Sequence, residues 1–204
     1  MRSRLVEHHD GADLLLWRLE ASLVASTATV GGGLGARDWV MNAQVPHDYA
    51  RTDLAAHAAE LAGSLGLDGS GVTMFTAAPV RRVREALDGD VLVEATVGVT
   101  RPTWAAAPDE GIDTGPGTVN IVVFVPVCLD AGAMLNALVT ATEAKTQALF
   151  DGGVEGTGTA SDALCVVARM EGPREVFAGP RSRWGARVAR AVHAAVLAGL
   201  EPAP

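Results

Sequence analysis

Lys145 is the only lysine in a chain that carries fifteen arginines. It follows Glu143 by two residues and precedes a hydroxyl-rich segment, Thr157-Gly158-Thr159-Ala160-Ser161-Asp162. A lone ammonium aimed into a pocket is a positive group or a proton donor. A carboxylate among hydroxyls and backbone amides can serve as a base or orienter facing a substrate. The structural alternatives are plain. Lys145 could bury its stem and keep its charge wet, and the loop could be a tight turn whose Asp162 bonds backbone amides. Glu143 and Lys145 are two apart, so on a regular helix they point different ways and do not form a pair.

Asparagine is also scarce, at Asn42, Asn120 and Asn136, and tyrosine occurs once, at Tyr49. The bias toward Ala, Gly, Val and Arg looks like GC-rich coding. Residues that survive such drift are the ones chemistry would hold, although with small counts chance does the same. No zinc-type spacing and no Ser/His/Asp triad is visible, and His8, His9, His47, His57 and His193 lie outside the segments above.

These groups need elements to hold them. Gly117 to Val125 reads as a strand, Asp130 to about Phe150 as a helix, and Leu164 to Ala168 as a second strand. That helix has Leu135, Leu138, Val139, Thr142 and Leu149 on the face expected to be buried. Upstream, Asp13 to Leu19 and Glu20 to Thr27 read as two strands of a hairpin. Gly31 to Gly35 breaks the pattern, and Asp38 to Val45 is another strand. Gly31-x-Gly33-x-x-Ala36 resembles a dinucleotide fingerprint, but a strand rather than an opening helix follows it. Pro46 to Tyr49 is a turn. Asp53 to Leu65 is a helix with Leu54, Ala58, Leu61 and Leu65 on one face, where His57 reads as a structural histidine. Gly71 to Ala78 is a strand, Val80 to Leu87 a short helix, Asp90 to Thr100 a long strand, and Arg101 to Pro116 a loop. A last helix, Ser182 to Leu197, turns Trp184, Val188, Ala191, Val192 and Ala195 inward.

The 204 residues suit one domain, 1–204. With 49% hydrophobic and 20% charged residues the chain is globular, and with 4% aromatics its core must come from Val, Leu and Ala. A net charge of -8 argues against nucleic-acid binding. Arg181, Arg183, Arg187 and Arg190 read as the wet face of the last helix. Cys128 and Cys165 sit in apolar runs, which suits buried reduced thiols and a cytoplasmic protein. The first ten residues lack a signal-peptide core. The run Val119 to Leu129 is too short to span a bilayer and holds Pro126, so no membrane partner is expected.

Laid out in order, these pieces resemble the adenosylcobinamide amidohydrolase family, CbiZ. The matching segments are Gly31-Gly32-Gly33, Asn42-Ala43-Gln44-Val45 with Tyr49, and Met74-Phe75-Thr76-Ala77-Ala78. More specific are Gly117-Thr118-Val119-Asn120-Ile121, Thr142-Glu143-Ala144-Lys145-Thr146 and Thr157 to Ala163. Phe177-Ala178-Gly179 and the last helix close the match, which runs from about residue 25 to 197. Ser161 stands where the family usually has Thr, and Gly98-Val99-Thr100-Arg101-Pro102 replaces a Gly-x-Ser-Asn-Ala-like segment, a change that bears on substrate fit.

The resemblance implies hydrolysis of the amide joining a corrin propionate to aminopropanol. It gives adenosylcobyric acid in corrinoid salvage. No cofactor is expected, the cobalt being part of the substrate, and the oligomeric state, including a homo-oligomer, stays open. The expected fold is α/β (α+β type), one domain with a mixed sheet and about three main helices. Our mechanistic expectation is that Asp162 or Glu143 activates water, or activates Thr118 or Thr159 as nucleophile, with Lys145, Asn42 and Asn120 stabilising the oxyanion or anchoring substrate amides. Gly32, Gly33, Asn42, Thr76, Asn120, Thr157 and Ser161 would contact substrate. The rival readings are a corrinoid-binding protein without catalysis, and an amidohydrolase or acyltransferase on another small amide.

Overall fold

A computed structural model describes residues 2–7, 13–108 and 117–201. Residues 109–116 of the expected loop, with His8 and His9, lie outside the described residues.

The chain opens with strand β1 (Arg4–Val6), then two long strands, β2 (Leu14–Ser26) and β3 (Gly33–Gln44). Helix α1 (Leu54–Ser64) leads to β4 (Gly71–Thr76), a hairpin of β5 (Arg84–Asp88) and β6 (Val91–Gly98), and β7 (Thr118–Leu129). Helix α2 (Ala131–Asp151), β8 (Ala163–Arg169), the short β9 (Arg174–Glu175) and helix α3 (Arg183–Leu200) complete it. The strands join one sheet in the order β4-β3-β2-β8-β7-β6-β5, with β1 beside β2 and β9 beside β7. Pairs β3/β4 and β7/β8 are parallel, while β2/β3, β2/β8 and β6/β7 are antiparallel, so the sheet is mixed, as expected.

The sheet folds back on itself. Leu15, Trp17, Val40 and Met74 of one half pack against Leu92, Val122, Phe124 and Cys165 of the other. Polar bonds cross the same gap: Trp17 Nε1 donates to Glu94 at 2.6 Å. Helix α1 covers one outer face over Leu14, Leu16 and Met41 through Leu61 and Ala62. Helices α2 and α3 cover the other, over Ile121, Val123 and Val166. The layers therefore run helix, sheet, sheet, helix, an arrangement in which every apolar face finds a partner. The core is mostly Val, Leu and Ala, and both cysteines are buried free thiols. Burial pushes the Cys165 thiol up to about 12. Among the described residues no helix is long and apolar enough to cross a membrane.

Three expectations are corrected. The proposed hairpin at residues 13–27 is one strand, β2, with a bulge between Arg18 and Ser22. Leu14 to Leu16 pair with β1 before the bulge, and Ser22 to Ser26 pair with β8 after it. The polar break at Arg18 to Glu20 is thus a bend where the strand passes from one half of the sheet to the other, which is what bulges do. The helix expected at Val80 to Leu87 is a 3-10 turn, Val80–Arg82, followed by β5 at the sheet's edge. Its alternating exposure and its charges fit an edge strand. Helix α2 buries a face turned from the expected one: Leu149 is buried and Leu138 half-buried as expected, but Thr142 is exposed. Leu135 and Val139 are more than half exposed, and Ala133, Ala137, Ala141, Ala144 and Ala148 face inward instead. Alanine lets α2 lie close against β8 and α3, where leucine would hold it off. Inside α3 the expected residues are the buried ones.

The bulge carries a prediction. Ala21 sits at φ 37°, in the left-handed region that costs a residue with a Cβ about 1–2 kcal/mol. Ala21→Gly is expected to raise Tm by roughly 2–4 °C for about 1 kcal/mol recovered, the usual scale for a chain of this length. An unchanged or lower Tm in thermal unfolding would show that the bulge holds no such strain.

Candidate active site

The first residues of β7 and β8 lie side by side, because the two strands are parallel and Asn120 pairs with Ala163. The hydroxyl-rich segment is the loop that enters β8 from α2. It is built around Asp162. One carboxylate oxygen accepts from Val119 N at 2.8 Å and Thr159 Oγ1 at 2.6 Å. The other accepts from Thr159 N at 3.2 Å and from Lys145 Nζ. Four donors occupy a group that has about four acceptor positions.

Lys145 reaches Asp162 because α2 turns its alanine stripe, and Lys145 with it, toward the sheet. Both side chains of the pair are buried, at 7% and 8% exposure. Gly158 makes the approach available: a Cβ there would lie 2.4 Å from Asp162 Oδ2 and 2.5 Å from Lys145 Nζ. The loop is tied on its other side to residues 103–105. Thr157 N donates to Thr103 O and Thr103 N to Gly158 O, both at 2.8 Å, and Thr157 Oγ1 accepts from Ala105 N at 2.9 Å.

This framework sets two hydroxyls beside each other. Thr118 Oγ1 lies 3.2 Å from Ser161 Oγ, which is 3.1 Å from Gly117 O. Thr118 precedes Val119 and Ser161 precedes Asp162, so the bond from Val119 N to the Asp162 carboxylate fixes the distance between their neighbours. Thr118 and Ser161 line a cavity of about 380 Å³. Its other walls come from β4, including Met74 and Thr76, from the β2–β3 turn at Ala28 and Thr29, and from the segment Val45 to Leu54.

Of the remaining expected residues, Thr76 lines the cavity and the others fall elsewhere. Asn42 and Asn120 are 1% exposed and bonded to each other, Asn120 Nδ2 to Asn42 Oδ1 at 2.8 Å. Asn42 also donates to Thr96 Oγ1 at 3.0 Å, while Asn120 donates to Phe75 O at 3.1 Å and accepts from Ala163 N at 3.2 Å. They form a buried network that joins the two halves of the sheet behind the cavity. Thr76 lines the cavity but its hydroxyl accepts from Ala78 N at 3.0 Å. Thr159 and Thr157 serve the loop's own bonds. Gly32 and Gly33 form the β2–β3 turn beyond Thr29, and a Cβ at Gly32 would meet Ala28 O at 2.1 Å. Glu143 is exposed, on the opposite side of α2 from Lys145.

Sequence reasoning missed an aromatic wall. Tyr49 lines the cavity, and its hydroxyl lies 2.7 Å from His57 Nδ1 on α1. The rings of Tyr49, His57 and Phe75 stack mutually, with centroids 5.2–5.9 Å apart. Burial raises the Tyr49 pKa above its ordinary value, and burial first, then the nearby Arg51 cation, lowers that of His57. Arg51, at the same wall, is held by Asp53 and Glu60 at 2.8–3.0 Å. The signal was Tyr49's solitude in the sequence; its pairing with His57 was not visible there. Among the described residues no three His, Cys, Asp or Glu side chains converge as a metal site requires.

A family model described as adenosylcobinamide amidohydrolase matches residues 1–203. A protein of that name from Methanosarcina mazei is 26% identical over 192 residues, covering 90% of this chain and 92% of its own. Another of that name, from Halobacterium salinarum, is 32% identical over 171 residues, covering 80% of this chain and 70% of its own.

Proposed function

Since the chain belongs to the adenosylcobinamide amidohydrolase family, we propose that it hydrolyses the amide between the corrin propionate and aminopropanol of adenosylcobinamide. The products are adenosylcobyric acid and aminopropanol, which makes the reaction a salvage step for incomplete corrinoids. The observation that carries the reading beyond family membership is the Thr118–Ser161 hydroxyl pair on the wall of a cavity.

The cavity is near the lower end of the roughly 300–1,000 Å³ usual for small-molecule sites. It suits one side arm of a corrinoid, with the macrocycle left at the mouth. Thr118 attacks the amide carbonyl, or holds the water that does, and Ser161 supports it from 3.2 Å. Asp162 is saturated with donors, so it acts as an orienter: it holds Val119 and Thr159, and through them the two hydroxyls. Lys145 balances its charge. The cobalt enters as part of the substrate, and the protein residues supply the hydrolytic chemistry.

The test is mass spectrometry of the protein incubated with adenosylcobinamide. Release of aminopropanol and the corresponding acid by the wild type is expected. Corrinoid that binds and returns intact would make this a binding protein instead.

A further inference from the structure

Breaking an amide needs a proton on the departing nitrogen, because an amide anion is far too basic to leave. The hydroxyl pair does not supply it. Among the cavity-lining residues, the side chains that carry an ionisable proton are His47, Tyr49 and Arg51. Arg51 keeps its proton at all working pH values and is locked to Asp53 and Glu60. His47 is exposed at the rim. Tyr49 is half-buried and fixed in direction, by the 2.7 Å bond to His57 Nδ1 and by stacking on both His57 and Phe75. A phenol so oriented is far better placed than a free one, since holding a donor in its reactive geometry removes much of the entropic cost.

We infer that Tyr49 is the general acid for the leaving amine, with His57 as its positioning residue; the inference rests on the amide-hydrolysis reading. As the tetrahedral intermediate collapses, the C–N electron pair goes to nitrogen. Nitrogen takes the Tyr49 proton, and the phenolate regains one from the attacking water or hydroxyl. Where Thr118 is the attacking group, water then cleaves the resulting Thr118 ester to give the acid and restore the hydroxyl, so by either route the net change is amide plus water to acid plus amine. With His57 in the Nδ1–H tautomer, its ring donates to the phenolate oxygen while that oxygen is charged. Phe75 holds both rings in place.

The experiment compares two substrates: adenosylcobinamide, and the same corrinoid bearing a nitrophenyl ester at that propionate, whose phenolate leaves without a proton. Tyr49→Phe keeps the ring stack and removes only the hydroxyl. It is expected to lose about 10²–10⁴-fold in kcat on the amide, the usual worth of a general acid, and less than about tenfold on the ester. His57→Gln, which keeps an N–H donor but loses the ring stack, should show the same amide-selective loss at smaller size, and His47→Gln should show none. Equal losses of Tyr49→Phe on both substrates, or an amide-selective loss in His47→Gln alone, overturn the inference while leaving the hydrolase reading intact. A wild type that cleaves neither substrate overturns the hydrolase reading, and this inference with it.

Discussion

Lys145→Ala is expected to lose about 3–5 kcal/mol of stability, the usual cost of removing one partner from a buried ion pair. The side chains of Lys145 and Asp162 are 7% and 8% exposed, so water does little to screen the loss. A drop of that size corresponds to a fall in Tm of roughly 10 °C for a chain this long. Activity should fall by more than the stability loss implies. Asp162 would relax toward solvent, and the strand start at Val119 and the loop at Ser161 would separate. At a temperature where the variant remains folded, kcat should fall by about 10²-fold or more, since angstrom-scale misplacement of reacting groups costs that much. Replacing both partners, Lys145→Met with Asp162→Asn, removes both charges while an amide oxygen still accepts from Val119 N, and should recover part of the stability and none of the activity. Circular dichroism and single-turnover assays separate the two effects. A Lys145→Ala protein with wild-type Tm and turnover would reduce the pair to a bystander.

The second large effect belongs to Thr118→Val. The substitution keeps the shape and removes the hydroxyl that lies 3.2 Å from Ser161 Oγ. Thr118 is 5% exposed and its hydroxyl bonds only to Ser161 among the described contacts, so stability should change by less than about 1 kcal/mol. Turnover should drop about 10³-fold or more, as expected when a nucleophile or its water anchor is lost. Ser161→Ala should cost roughly tenfold. Steady-state kcat and KM for both variants decide the matter. A larger loss in Ser161→Ala would move the attacking role to the loop.

Much of this site was legible in the residue order, and the reason is topological. The segments around Thr118, Lys145 and Asp162 are consecutive elements, so strand, helix and loop had to return to one another. The pairing of Lys145 with Asp162 was not legible, because it depends on which face of α2 turns inward. Leu135 and Val139 pointed to the wrong face. A row of alanines carries little hydrophobic signal, yet it lets α2 lie closest to the sheet. Asn42 and Asn120 stood out by scarcity and proved to be bonded to each other across the fold. Scarcity marked them as constrained, but could not tell a buried brace from a substrate contact. Tyr49 stood beside a family segment but nothing in the residue order joined it to His57, and only the folding of its turn against α1 and β4 sets the rings face to face. Strand β5 was misread because Arg81, Arg82 and Arg84 read as the charged face of a short helix over Val80 to Leu87, whereas the strand's alternation spans too few residues to outweigh them.

The bent strand β2 also governs how the molecule comes into being. Ser26 bonds to Leu164 across 138 residues of sequence, and Ser22 to Ser26 lie beside Cys165 to Arg169 at the centre of the sheet. A ribosome that has delivered the first half of the chain has therefore delivered a sheet with its central seam open. Such long loops must close before their contacts repay the entropy, which slows folding and favours late cooperative assembly. The chain is accordingly built to wait, and to commit to its structure only after β8 has emerged.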